Sequence, residues 1–173
     1  MLSGADAWIL DANLTEAALA YLFCHAENKP IWVDPVSTIK AQRLIPYLSK
    51  IHCLTPNLDE AQLLSGVQVE DFTNAPLLAK KLHDKGVNNV MITSGERGAY
   101  ASDGNTAFCL EAETLSVKNV TGCGDAAIAA LVHGSITGLD WKESGKLAMS
   151  AAALTASSEQ TNSPLLSTLG TNV

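Results

Sequence analysis

Short runs of apolar and β-branched residues alternate along the chain with longer segments whose apolar positions recur every three or four residues. This is the pattern of β-α units around a mostly parallel sheet. Residues 7–10 read as a strand, and residues 15–26 as a helix that starts at Thr15 and turns Ala18, Leu19, Leu22 and Phe23 to one side. Pro30 breaks the chain before a second strand over 31–33, which ends in Asp34-Pro35. Ala41, Leu44, Ile45 and Leu48 give the i, i+3, i+4, i+7 stripe of a second helix. Residues 51–54 predict a third strand, closed by Thr55-Pro56-Asn57, and a short helix then carries Glu60 to a stop at Gly66. A helix over 76–85 ends at Gly86 and leads into a fourth strand over 90–93.

Beyond Thr93 the pattern changes. Ser94-Gly95-Glu96-Arg97-Gly98 is a turn, and residues 99–102, 106–110 and 115–117 are expected as antiparallel strands, with Asp103-Gly104-Asn105 turning between the first two. From Ala126 to about Thr137 nearly every side chain is small or apolar, which predicts a helix buried on most of its circumference. A last helix over 141–156 precedes a Ser/Thr/Asn-rich tail around Pro164. No internal repeat or low-complexity linker interrupts the chain, so one domain over 1–173 is expected, an α/β fold built on a mostly parallel open sheet with helices on both faces.

Composition narrows the function classes. Eleven Lys and Arg stand against 18 Asp and Glu, a net charge of −7, with no basic run to override it. Such a surface repels phosphate backbones and anionic lipid, so no nucleic acid and no membrane partner is expected. No apolar run approaches the ~20 residues of a spanning helix, and the first residues lack a basic stretch followed by an apolar one. The expected location is cytoplasmic. Cys24, Cys53, Cys109 and Cys123 are dispersed, without metal or redox spacing, and read as reduced, mostly buried thiols. His25, His52, His83 and His133 read as surface or satisfied core residues.

Candidate chemistry gathers where ligands of open α/β sheets sit, at the carboxyl ends of the strands. Asp34 follows the second strand, Asn57 and Glu60 the third, and residues 93–98 the fourth. Thr121-Gly122-Cys123-Gly124-Asp125 precedes the small-residue helix, where consecutive N–H groups at a helix start would make an anion site. Asp125 in the first turn is placed to accept a proton from an attacking hydroxyl; the plainer reading is a Gly turn with a capping Asp. Asn57-x-x-Glu60 puts an amide and a carboxylate one helical turn apart, which suits magnesium beside phosphates, or else a capping Asn with a solvated Glu. Thr93, Ser94, Gly95 and Gly98 offer hydroxyls and amides to nucleotide phosphates, or form an ordinary turn. No Gly-Lys-Ser/Thr tail exists for a P-loop. Gly122-x-Gly124-x-x-Ala127 also fits a relaxed dinucleotide fingerprint, but it lies behind four β-α units and sets an Asp against the pyrophosphate, so a dinucleotide-binding oxidoreductase is the weaker reading. Cys123 reads as a small turn residue.

Pro56-Asn57-x-x-Glu60, Thr93-x-Gly95-x-x-Gly98 and Thr121-Gly122-x-Gly124-Asp125, in this order, resemble the PfkB-type carbohydrate kinases of the ribokinase-like fold. Residues 11–14, 33–37 and 119–122 are most similar to the pseudouridine kinase branch. The resemblance implies ATP-dependent phosphorylation of a small-molecule sugar or nucleoside hydroxyl. Asp125 would be the base, and the Gly122, Cys123 and Gly124 amides the anion hole. Glu60 would act at Mg2+, Asn57 beside the phosphates, Thr93, Ser94, Gly95, Gly98 and Thr121 at ATP, and Asn162 near the adenine. Cys123 stands where the family commonly has Ala, and Asn119-Val120 replaces the frequent Asp-Thr. The chain resembles only the C-terminal part of such kinases, so truncation at the N-terminal side and an incomplete acceptor site are expected. A catalytically inactive, nucleotide-binding remnant is the alternative, and the sheet edge left open leaves room for a homodimer.

Overall fold

The computed structural model describes residues 4–113 and 116–169. Six strands form one sheet in sequence order: β1 (Trp8–Asp11), β2 (Ile31–Asp34), β3 (Cys53–Leu54), β4 (Asn89–Thr93), β5 (Ala99–Ser102) and β6 (Ala107–Leu110). β1 to β4 are parallel, with Trp8 opposite Ile31, Trp32 opposite Cys53, and Cys53 opposite Asn89. Parallel neighbours need crossovers. These are α1 (Glu16–His25), α2 (Thr38–Ala41), α3 (Leu58–Ser65) and α4 (Ala75–Asp84), and the two later helices are α5 (Cys123–Thr137) and α6 (Trp141–Ala156). The described residues fall into two compact units. One runs through Ser94 and again over Tyr100–Phe108, and the other is made of Gly95–Ala99 and the chain from Cys109 on.

In the first unit, Leu19 and Phe23 of α1, Leu64 of α3, and Leu78 and Leu82 of α4 pack with Ile31, Val33, Leu54, Val90 and Ile92 of the strands. Trp32, Cys53 and Met91, on the alternate side of those strands, are buried as well. Burial on both faces is why β2 and β4 read as continuous apolar runs and do not alternate. The helix expected from the stripe at 41, 44, 45 and 48 is instead one α-turn, α2, that tightens into a 3-10 run over Gln42–Lys50 containing Pro46. Proline has no N–H for the Gln42 carbonyl and crowds it in an α-turn, and 3-10 winding relieves the crowding. Leu44 and Leu48 remain buried while Ile45 turns out to 49% exposure.

In the second unit, α5 begins at Cys123, three residues earlier than expected, because left-handed Gly122 (φ 88°) serves as its N-cap. Its burial is one-sided: Ala127, Ile128, Leu131 and Val132 are buried, whereas Ala129, His133 and Ile136 face outward. α6 packs along it. At their crossing a Cβ on Gly134 would lie 2.4 Å from Ser144 Oγ, so only glycine lets the helices approach. The Asp140 and Glu143 side chains cap α6 reciprocally.

β5 and β6 are sheet neighbours joined through residues 103–106, a connection so short that they run antiparallel. Asp103 accepts the Asn105 and Thr106 N–H groups at 2.9 and 2.6 Å to make that turn. The strand expected over 115–117 begins outside the described residues, and Ser116 and Val117 carry no strand. Of the cysteines only Cys53 is buried; Cys24 and Cys109 are exposed, contrary to the expectation of mostly buried thiols. Among the described residues no helix is long and apolar enough to cross a membrane.

Candidate active site

The first unit gathers three of the sequence motifs at the carboxyl ends of its strands. The Thr93 N–H donates to the Pro56 carbonyl at 2.9 Å, and Asn57 bridges to Thr93, so the ends of β3 and β4 present Asn57 and Thr93 side by side. Asn57 caps α3. Its Oδ1 accepts the Glu60 N–H at 3.0 Å, and Glu60 Oε2 accepts the Asn57 N–H at 2.9 Å. The alternative of a capping Asn with a solvated Glu is therefore half correct, since Asn57 does cap but Glu60 is only 3% exposed. Burial pushes the Glu60 carboxyl above the usual carboxylate range, and the charges of Asp34 and Asp59 add to the shift.

Asp34 comes to this place from β2, in register with Asp11 of β1. Its Oδ1 accepts the Val36 N–H at 2.7 Å. Val36 itself has a positive φ of 67°, rare for a β-branched residue, and closes a three-residue turn in which the Ser37 N–H donates to the Pro35 carbonyl. The electrostatic reach of Asp34 to Glu60 has only a faint sequence signal, an aspartate at a strand end before proline. Among the described residues no three His, Cys, Asp or Glu side chains converge as a metal cage. Magnesium needs no such cage, because it keeps waters and leans on substrate phosphates.

The second unit holds the glycine motifs. Gly95 (φ 51°) opens a 3-10 turn over Gly95–Arg97, and the Gly98 N–H donates back to the Gly95 carbonyl at 3.0 Å. A Cβ on Gly98 would stand 1.9 Å from the Leu110 carbonyl oxygen, so that glycine is required by main-chain packing. In the Thr121–Asp125 motif, the Thr121 N–H donates to Asn119 Oδ1 at 2.9 Å and the Cys123 N–H to the Val120 carbonyl at 3.3 Å. The amides of Gly122, Gly124 and Asp125 donate to no atom among the described residues. Of the Gly122, Cys123 and Gly124 amides expected at an anion, that of Cys123 is engaged by helix entry.

The Asp125 side chain is exposed on the first turn of α5. Burial pushes the half-buried Cys123 thiol up, which opposes a nucleophilic thiolate and fits a small turn residue. Asn162 is exposed and follows Thr161, whose carbonyl packs on Gly122. Thr161 and the Asn119 turn are the parts of this motif that spacing alone could not supply.

The model of the pfkB family carbohydrate kinases matches residues 2–168. The pseudouridine kinase of Escherichia coli strain K12 is 36% identical over 161 residues, 92% of this chain and 51% of that protein. A putative sugar kinase from Clostridium perfringens superposes with a TM-score of 0.90 at 28% identity, covering 97% of this chain and 54% of the other. Ribokinase from Thermotoga maritima shares the fold, with a TM-score of 0.76 at 20% identity over 92% of this chain and 53% of the other. The chain spans about half the length of the relatives it matches. With the ribokinase-like α/β sheet in place and the match running over nearly its whole length, this chain belongs to the pfkB family of carbohydrate kinases.

Proposed function

We propose that the chain takes part in ATP-dependent transfer of a phosphoryl group to a hydroxyl of a small sugar or nucleoside, with pseudouridine the first acceptor to try. One observation carries the reading. Three amides without an acceptor among the described residues, those of Gly122, Gly124 and Asp125, stand at the positive end of a 15-residue helix whose first turn also bears the exposed Asp125 side chain. The amides would hold the anionic oxygens of the phosphoryl group in transfer. Asp125 would accept the proton of the attacking hydroxyl, and the rest of catalysis would be positioning and electrostatics.

Asn57 and Glu60 would serve the magnesium and phosphate region. The donor chemistry fits a divalent cation, because Glu60 is a buried carboxylate beside the like charge of Asp34. Glu60 Oε2 is engaged with the Asn57 amide, which leaves Oε1 for the ion or its water. When bound, Mg2+ would neutralise charge on the transferring phosphates. Thr93, Ser94 and Gly95 would contact the nucleotide. A cytoplasmic location would suit that dependence on ATP.

The test is calorimetry with ATP, with and without Mg2+, followed by ADP release with pseudouridine, ribose and fructose. The expected result is Mg2+-dependent binding and release with at least one acceptor. Binding with no release from any of them would favour a nucleotide-binding chain that catalyses nothing, and tight, metal-independent NAD(P) binding would favour an oxidoreductase.

A further inference from the structure

The C-terminal end of α6 meets the loop that carries the Thr121–Asp125 motif, and the last polar side chain before that end has no partner among the described residues. Thr155 is 0% exposed, and its Oγ1 makes no hydrogen bond to the described residues, not even to the preceding helical turn. It completes a stripe with Ser144, Ala148 and Ala151 that is buried along one face of α6. The stripe contacts α5 where Gly134 meets Ser144. Residues 138–140 join the two helices, which therefore run antiparallel. Thr155 lies eleven residues beyond Ser144, and Cys123 eleven before Gly134. At ~1.5 Å per residue both are ~16 Å from the crossing, at one level.

Hydrogen bonds tie that level to the motif. The Ala156 carbonyl accepts the N–H groups of Lys118 and Asn119 at 2.8 and 3.1 Å. Asn119 Oδ1 in turn accepts the Thr121 N–H, and its carbonyl lies 4.0 Å from Cys123 Sγ. Buried hydroxyls are nearly always paired, so an unpaired one calls for a reason. Here it stands at the root of a loop whose Gly122, Gly124 and Asp125 amides also lack an acceptor among the described residues.

We propose that Thr155 is a positioning residue for this loop: its hydroxyl gains its acceptor in the loop main chain, directly or through one buried water, when the amides take up a phosphate anion. The inference rests on the phosphate-binding reading of the motif.

Thr155→Val keeps the shape and deletes the hydroxyl, whereas Thr155→Ser keeps the hydroxyl and deletes a methyl. The measurements are thermal unfolding of the free protein, and binding of MgATP and of inorganic tripolyphosphate, for the full chain and both variants. Thr155→Val should unfold no lower than the parent yet bind both anions about fivefold more weakly, the loss of one net hydrogen bond. Thr155→Ser should unfold lower and bind as the parent does. A purely structural threonine would move stability and affinity together, and that result, or parental affinity in Thr155→Val, overturns the proposal. If the parent itself binds neither anion, the phosphate reading falls and takes this proposal with it; if the parent binds and Thr155→Val matches it, this proposal alone falls.

Discussion

The carbonyl oxygen of Thr161 lies 2.1 Å from the point where a Cβ on Gly122 would stand, so the segment before Asn162 is seated directly on the loop that starts α5. Gly122 is also left-handed, and both constraints exclude a side chain. Gly122→Ala should cost about 2 kcal/mol or more, strain and overpacking combined. Gly95→Ala, where φ is 51° but nothing lies within 4 Å, should cost only about 1 kcal/mol. Denaturant midpoints of the two variants check the order; equal losses would contradict the packing argument.

Glu60 makes stability depend on pH. Its carboxyl holds a proton more tightly in the folded chain than in the unfolded one, because burial and the charge of Asp34 disfavour ionisation. The stability this group contributes is present below the usual carboxylate range and is lost as pH rises through the elevated value. Glu60→Gln keeps an oxygen for the Asn57 N–H and removes the titration, so its stability should gain on the parent between weakly acidic and neutral pH. Added Mg2+ should stabilise the parent more than this variant. Parallel pH profiles would contradict the account.

Asn57→Ala removes the other half of the same cap and should cost about 1 kcal/mol, read as a lower thermal midpoint. Because the Asn57 side chain also stands beside Thr93 in the proposed phosphate region, MgATP affinity should fall as well. A variant that loses stability but binds MgATP as the parent does would reduce Asn57 to a helix cap.

His83 pins the β5–β6 turn. Its Nδ1 lies 2.8 Å from the Val87 carbonyl, which can only accept, so Nδ1 carries a proton, and Nε2 pairs with the Ser102 hydroxyl at 2.9 Å. Ser102 Oγ also accepts the Gly104 N–H at 3.2 Å. A double-mutant cycle over His83→Leu and Ser102→Ala should give a coupling of about 1 kcal/mol. Strict additivity would show that the two side chains do not share a bond.

Of the parallel strands, β2 and β4 were legible because Ile31-Trp32-Val33 and Val90-Met91-Ile92 are buried on both faces and so leave unbroken apolar runs. The second helix misled because a 3.6-residue stripe cannot register the N–H that Pro46 lacks. The start of α5 was misplaced because its cap is a left-handed glycine, without the polar side chain that usually announces a helix. In the site, Asn57-x-x-Glu60 was visible as a spacing, and the same spacing is that of a capping box. No spacing could reveal that Thr161 sits on Gly122 or that the Ala156 carbonyl accepts the Asn119 N–H, since those contacts join residues tens of positions apart.

The proposed role of Asp125 as the base that takes the proton of the attacking hydroxyl is the central claim, and the turnover of Asp125→Ala tests it most directly. With whichever acceptor supports ADP release, kcat should fall by about 10²- to 10⁴-fold while MgATP affinity stays near that of the parent. Turnover retained in Asp125→Ala would contradict it.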